Sequence, residues 1–192
     1  MGKRDCNPKM PITCKVLRHI LTAATHSSLL EQLNFEATVM TAFSGFLRCS
    51  EFTVQPGKAF DPGFNITRSC VQFWLSLLSP SHVILTILSS KMDPFRKDVA
   101  VTIASAPSAH TCTVAALKAL SEYVQQPPES PLFIQADGTP LSCGVFISQL
   151  KSSLMRAGYD VAKFSGHSFH HGTASSATAV GFSHYEIQQL GR

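Results

Sequence analysis

The sequence predicts a single α+β domain, mainly helical, with a small antiparallel sheet on one side. Three observations carry this. Helix-spaced apolar residues with recognisable caps recur through most of the 192 residues. Two runs rich in β-branched and aliphatic residues, Val83 to Leu88 and Val99 to Ile103, flank a turn-forming segment with Asp93-Pro94. Hydrophobic residues make up 44% and charged residues 15%, which supplies a core and excludes a chain disordered over most of its length.

Residues 1–10 are polar and expected to be loose; residues 11–192 form the domain. Thr13 can cap a helix whose apolar face is Val16, Leu17, Ile20, Leu21 and Ala24. A second helix places Val39, Met40, Phe43, Phe46 and Leu47 on one side, and its last turn delivers Arg48. A Pro/Gly-punctuated loop from Gln55 to Gly63 ends helical structure. The two β-branched runs form a hairpin with Lys91 near the end of its first strand. A helix carrying Val114, Leu117, Leu120 and Val124 follows, and Pro127-Pro128 terminates it. Leu132-Phe133-Ile134 reads as a short buried strand and Asp137-Gly138 as a turn. Ser142 caps a helix with Val145, Phe146, Leu150 and Leu154, closed by Gly158. Ser168 is the expected cap of an Ala/Ser/Thr-rich helix that runs to Gly181, whose small side chains predict close packing. Ser183 to Glu186 forms a capping box for one more helix.

The formal net charge of +4 suits a polyanionic partner without requiring one. Six cysteines stand singly, with no C-x-x-C pair, and read as reduced and mostly buried thiols. The basic start has no apolar stretch behind it and no Ser/Thr at position six, so neither a signal peptide nor myristoylation is expected. The longest apolar run, around Val71 to Leu78, is too short to span a bilayer. These features predict a soluble intracellular protein without membrane partners. Trp74 and the Phe-rich stretches read as core.

Three places join a charged or titratable residue to the end of a rigid element. They are Arg48 with Glu51 at a helix C-terminus, Lys91 on the hairpin, and His167 with His170 at a helix N-terminus. Together they would make a phosphate site: arginine gives forked donors, lysine a mobile charge and proton source, and the helix N-terminus free N–H groups. Each has a plainer reading. Arg48 could be a dipole partner paired with Glu51, and Lys91 a solvated turn residue. His167, His170 and His171 lack the spacing of a zinc site, and no carboxylate cluster suits Mg²⁺. No metal and no cofactor is expected, and His171 and His184 read as surface residues.

Phe-Ser-Gly-Phe-Leu-Arg48-Cys-Ser-Glu51-Phe resembles the first arginine box of the tyrosine recombinase (phage integrase) family. Ser-Ser-Lys91-Met-Asp-Pro-Phe is similar to its hairpin lysine box. Gly166-His167-Ser168-Phe169-His170-His171-Gly172 is similar to its His-x-x-Arg box, and Leu190-Gly191-Arg192 to the start of its last box. The four occur in family order across residues 11 to 192, the extent of a catalytic domain without its N-terminal clamp domain and without its C-terminal part. The Pro-Ile-Thr opening and the Gly-His-Ser-Phe wording are most similar to eukaryotic members carried by DIRS-type retrotransposons.

The resemblance implies DNA integration and recombination: two arginines and a histidine hold the scissile phosphate, a tyrosine attacks it, and the lysine protonates the departing 5′ oxygen. Carried over by position, Arg48 is the first clamp, Lys91 the general acid and His167 the helper in phosphate binding and proton transfer. The implied partner is double-stranded DNA, bound in the nucleus, with room for a homo-oligomer on it. Two departures lower the expected activity. His170 stands at the second arginine, and losing one such donor typically costs roughly 10²–10³ in rate. None of Tyr123, Tyr159 and Tyr185 matches the nucleophile's position. The chain alone is expected to bind DNA but not cleave it; a non-catalytic interaction module or a decayed mobile-element fragment is the alternative.

Overall fold

Thr13 opens the first helix as its place before the apolar stripe predicts: its hydroxyl accepts the Val16 N–H, and α1 runs Cys14–Ala23 with Val16, Leu17 and Ile20 buried. The structure, a computed structural model, describes residues 9–75, 77–88, 98–106, 110–179, 181–185 and 187. Lys91, the Asp93-Pro94 turn, Glu186 and the Leu190-Gly191-Arg192 box lie outside the described residues.

After α1 come α2 (Leu29–Ser44), the short α3 (Cys49–Phe52), strands β1 (Val71–Phe73), β2 (His82–Ile87) and β3 (Val99–Ala104), then α4 (Thr113–Tyr123), α5 (Cys143–Arg156) and α6 (Ser168–Ala179). Ser142 caps α5 by accepting the Val145 N–H, and Gly158 follows the helix with φ +81°. The predicted hairpin is present, with β2 antiparallel to β3 in the register Val83↔Ile103, Leu85↔Val101 and Ile87↔Val99. Alternate residues Val83, Leu85 and Ile87 are buried, as a strand with one face on the core requires. A third strand, β1, pairs with the other edge of β2 through Val71↔Leu85 and Phe73↔Val83.

From Ala37 to Phe43 every residue of α2 is buried, so the helix has no solvent face there. It packs against α4, α6, α1 and α3. Cross-links fix these contacts. Thr113 Oγ1 donates to Met40 O (3.2 Å), and Thr173 Oγ1 donates to Phe43 O (2.5 Å). Of the small residues Thr173 to Ala179 expected to pack closely, Thr173 is buried against α2 while Ser175, Thr178 and Ala179 are exposed; the tightest approach is one residue earlier, at Gly172 against Ile12.

Two expectations are corrected. Trp74 is 54% exposed, because the alternation along β1 puts it on the same solvent-facing side as Gln72; its N–H still bonds His82 O (3.0 Å), and the indole stacks on His82 at 5.6 Å instead of entering the core. Leu132, Phe133 and Ile134 are buried as expected but form isolated bridges rather than a strand: Thr67↔Pro131 and Ile134↔Pro140 pair, the Leu132 N–H bonds Ile66 O (3.2 Å) and Phe133 O accepts the Leu141 N–H (3.0 Å). A side chain takes over part of the missing ladder. Asn34, 4% exposed on α2, accepts the Ile134 N–H (2.9 Å) and donates to Leu30 O (3.0 Å). Asn34→Ala strands that N–H in the core, at a cost of about 1–3 kcal/mol. Thermal unfolding should report it as a fall in Tm of about 3–10 °C for a chain of this size.

Candidate nucleic-acid interface

Arg48 occupies a different position from the one its periodicity suggests. Phe43, Phe46 and Leu47 continue the helical spacing, yet α2 stops at Ser44. Phe46 takes a left-handed backbone (φ +53°), its N–H bonds Phe43 O (3.3 Å), and Leu47 N–H bonds Ala42 O (2.9 Å). This is a Schellman stop with phenylalanine where glycine is usual. Arg48 therefore caps the N-terminus of α3 and does not end α2. The dipole reading reverses with it, since a cation is not favoured at a helix N-terminus. The predicted partner is present. Glu51 Oε2 accepts the Arg48 N–H (2.7 Å) and Glu51 Oε1 lies 3.7 Å from Arg48 Nη1, with side-chain exposures of 3% and 19%.

The histidine box begins α6, and Ser168, expected as its cap, lies inside the first turn. It is fully buried, and its hydroxyl accepts the Ser165 N–H (2.9 Å) while its own N–H bonds Ser165 O (3.0 Å). That tight turn leaves His167 exposed at the helix entrance. His170, one turn further, is half-buried and shares a hydrogen bond with Phe46 O (Nδ1 to O, 3.1 Å). The Phe46 ring meets it edge-on at 6.5 Å. His171 and His184 are exposed, as expected.

An aromatic cluster holds the three helices that carry these groups. Phe52 of α3 meets Phe146 of α5 edge-on with centroids 4.9 Å apart, and Phe146 meets Phe169 of α6 at 5.9 Å. Such contacts add about 0.5–1.5 kcal/mol each beyond burial. Above them opens a cleft of about 530 Å³ to which Arg48 and His167 both contribute. Lys9 and Lys151 line it too, and among its described lining residues there is no carboxylate. Lys9 is pinned there, its ammonium donating to Ala162 O (2.7 Å) beside the Met10 N–H to Lys163 O bond (2.6 Å). Residues 9 and 10 are thus ordered where looseness was expected. Cys49 lies between the walls, and burial pushes its thiol up to about 12. Three permanent cations and an imidazole around one concavity suit a phosphate-bearing ligand.

No family model matches the sequence, and no curated protein matches it significantly. Solved structures match the fold. XerA recombinase superposes with a TM-score of 0.64 at 17% identity, over 99% of this chain and 58% of that one. XerH site-specific recombinase bound to difH substrate, in its pre-cleavage complex, gives 0.65 at 15%, over 95% and 47%. A lambda integrase dimer bound to a COC′ core site gives 0.55 at 14%, over 100% and 49%. The chain has the tyrosine recombinase fold. It spans about half the length of these recombinases.

Within this fold the segments that carry Arg48 and His167 meet at one cleft. Arg48 and His167 line it, whereas His170 turns to the Phe46 carbonyl and is not part of the lining. Sequence reasoning assigned neither Lys9 nor Lys151 to the site. Lys151 had a readable signal: Cys143, Ile147 and Lys151 recur every fourth residue and all three line the cleft from α5. Lys9 had none, because only the tertiary fold carries it there.

Proposed function

We propose that the chain is the DNA-binding core of a tyrosine-recombinase-type protein for DNA integration and recombination, and that it grips duplex phosphates in the cleft of Arg48 and His167. The observation that carries this is the charge of the cleft: Lys9, Arg48, Lys151 and His167 are among its described lining residues, and the Glu51 carboxylate that faces Arg48 is not. The fold is shared with XerH bound to difH substrate and lambda integrase bound to a core site, which supports the reading. Arg48 offers a forked contact to two phosphate oxygens, His167 a donor at a helix entrance, and the lysines point charges along the backbone. Lys91 is assigned the protonation of the leaving oxygen by its resemblance to the hairpin lysine.

Cleavage by this chain is impaired in the same reading. An imidazole at His170 lacks the permanent charge and fork of the arginine it replaces, and it is engaged with Phe46 O. Tyr123, Tyr159 and Tyr185 do not line the cleft, so attack on phosphorus requires a tyrosine from another chain or from a longer form of this one. The resemblance of the Pro-Ile-Thr opening and the Gly-His-Ser-Phe wording to DIRS-type elements supports a eukaryotic mobile-element origin, and action in the nucleus as a homo-oligomer on DNA belongs to the same proposal.

Fluorescence anisotropy with a labelled duplex, titrated across salt concentrations, tests the reading. Neutralising three phosphates, one for each permanent cation of the cleft, gives a log–log slope of about −2.7. Binding no stronger and no more salt-dependent than that of an unrelated protein of equal charge overturns it.

A further inference from the structure

Cys49 begins α3, directly after Arg48, and is 8% exposed. Cys143 begins α5, half-buried on the wall of the same cleft. Their sulfurs are 3.2 Å apart, and both are free thiols. A Cβ built on Gly166 would come within 3.0 Å of the Cys49 Cβ, so the turn that carries His167 rests on the same residue. Cys49 thereby touches the three parts of the cleft: Arg48 through the chain, α5 through sulfur, and the histidine turn through packing.

We propose that Cys49 and Cys143 form a reversible disulfide when a peroxide enters the cleft, and that the bond resets the phosphate grip of Arg48. The second clause rests on the DNA-binding reading; the first does not. The cleft admits a molecule as small as hydrogen peroxide with ease, at about 530 Å³. Burial keeps the Cys49 thiol protonated, so the more open Cys143 meets the oxidant. The Cys143 thiolate attacks one peroxide oxygen, the O–O bond breaks, and hydroxide leaves to take up the proton that Cys143 released. Cys143 is then a sulfenic acid. Cys49 Sγ attacks that sulfur, the S–O bond breaks, and the departing hydroxide leaves as water with the Cys49 proton. In sum two thiols lose two hydrogens and two electrons, and one peroxide becomes two waters. A small dithiol reverses the step by exchange.

Closing from 3.2 Å to bonding distance draws the first residue of α3 toward α5, and Arg48 is its covalent neighbour. A forked contact tolerates little displacement, so the oxidised cleft holds phosphate less well.

The full chain, reduced and desalted, is titrated with hydrogen peroxide, and its peptides are mapped by mass spectrometry without reduction. The expected product is a peptide pair linked through Cys49 and Cys143, with two thiols lost and both recovered by dithiothreitol. Peroxide that oxidises other cysteines and leaves these two unlinked, or that links Cys143 elsewhere, overturns the disulfide. Duplex binding by the same samples reads the switch: oxidised protein should bind about tenfold more weakly than reduced protein, a loss of one fork-type contact. In Cys143→Ser the ratio between peroxide-treated and untreated protein should approach unity, and Cys143→Ala serves if the serine variant does not fold. An equal loss in the variant, or linked protein of unchanged affinity, overturns the switch while the DNA reading stands. Failure of the reduced protein to bind DNA overturns that reading and the switch, and the peptide map still decides the disulfide.

Discussion

Gly172→Ala is expected to lower the melting temperature by about 10 °C or more, the largest effect of an alanine at any of the described glycines. A Cβ at position 172 would lie 1.9 Å from Ile12 O and 2.5 Å from Ile12 C, inside any allowed contact. Both obstacles are backbone, so no rotamer change relieves them. The strand of chain at Ile12 is itself fixed, because the Ile12 N–H bonds Ser168 O (2.9 Å) and the Ile12 side chain is fully buried. Either α6 moves outward or residues 10 to 12 detach, and each choice uncovers core. Overpacking of this kind costs about 3 kcal/mol or more, against about 2–4 °C of Tm per kcal/mol at this length. Gly144→Ala is the control: a Cβ there meets nothing within 4 Å, on a helix where alanine is the better former. Circular-dichroism melts of the two variants should move apart, with Gly144→Ala at or above the parent. A Gly172→Ala melt within 2 °C of the parent, a shift of about 1 kcal/mol or less, removes the close-contact account.

Arg48→Gln is expected to weaken duplex binding by about 10- to 100-fold at constant low salt and to reduce the salt slope by about one. The size follows from one charge-assisted forked contact, about 1.5–3 kcal/mol. Arg48→Lys should keep the slope and recover only part of the affinity, since an ammonium supplies charge without the fork. The residue also faces Glu51, whose side chain is 3% exposed, so the substitution leaves a buried carboxylate with less compensation. Part of that loss is offset where it stands, because Glu51 still accepts the backbone N–H of residue 48 at the start of α3. Melting curves taken beside the anisotropy data separate the two effects. A folded Arg48→Gln protein with unchanged slope and affinity would place the phosphate site elsewhere.

Much of this architecture could be read in advance because its determinants are local. Thr13 and Ser142 cap helices with their own hydroxyls, and the alternation of Val83, Leu85 and Ile87 needs nothing beyond the strand. Phe46 shows where local reading fails. Phenylalanine at helical spacing argues for continuation, yet the residue turns left-handed, its buried ring offsetting the cost of that backbone. Trp74 failed for another reason: hydrophobicity does not say which face of a strand a residue takes, and alternation sets Trp74 beside Gln72 on the exposed one. At the site, Arg48 and His167 were visible through the wording of their boxes. Lys9 was not, since an ammonium held by Ala162 O, 153 residues away, leaves no trace in the residues around it.

The clasp of residues 9 to 12 against the start of α6 also fixes a sequence of events. Its bonds, Lys9 to Ala162, Met10 to Lys163 and Ile12 to Ser168, join chain segments more than 150 residues apart. Closing so large a loop is entropically unrewarded until the intervening helices have docked. The hairpin can collapse early from near neighbours in sequence, and α2 meets α4 across the 73 residues between Met40 and Thr113, whereas the rim that holds His167 waits for both ends to meet. The cleft is therefore expected to form late in folding, and a nascent chain carries no finished cleft until α6 has joined its beginning.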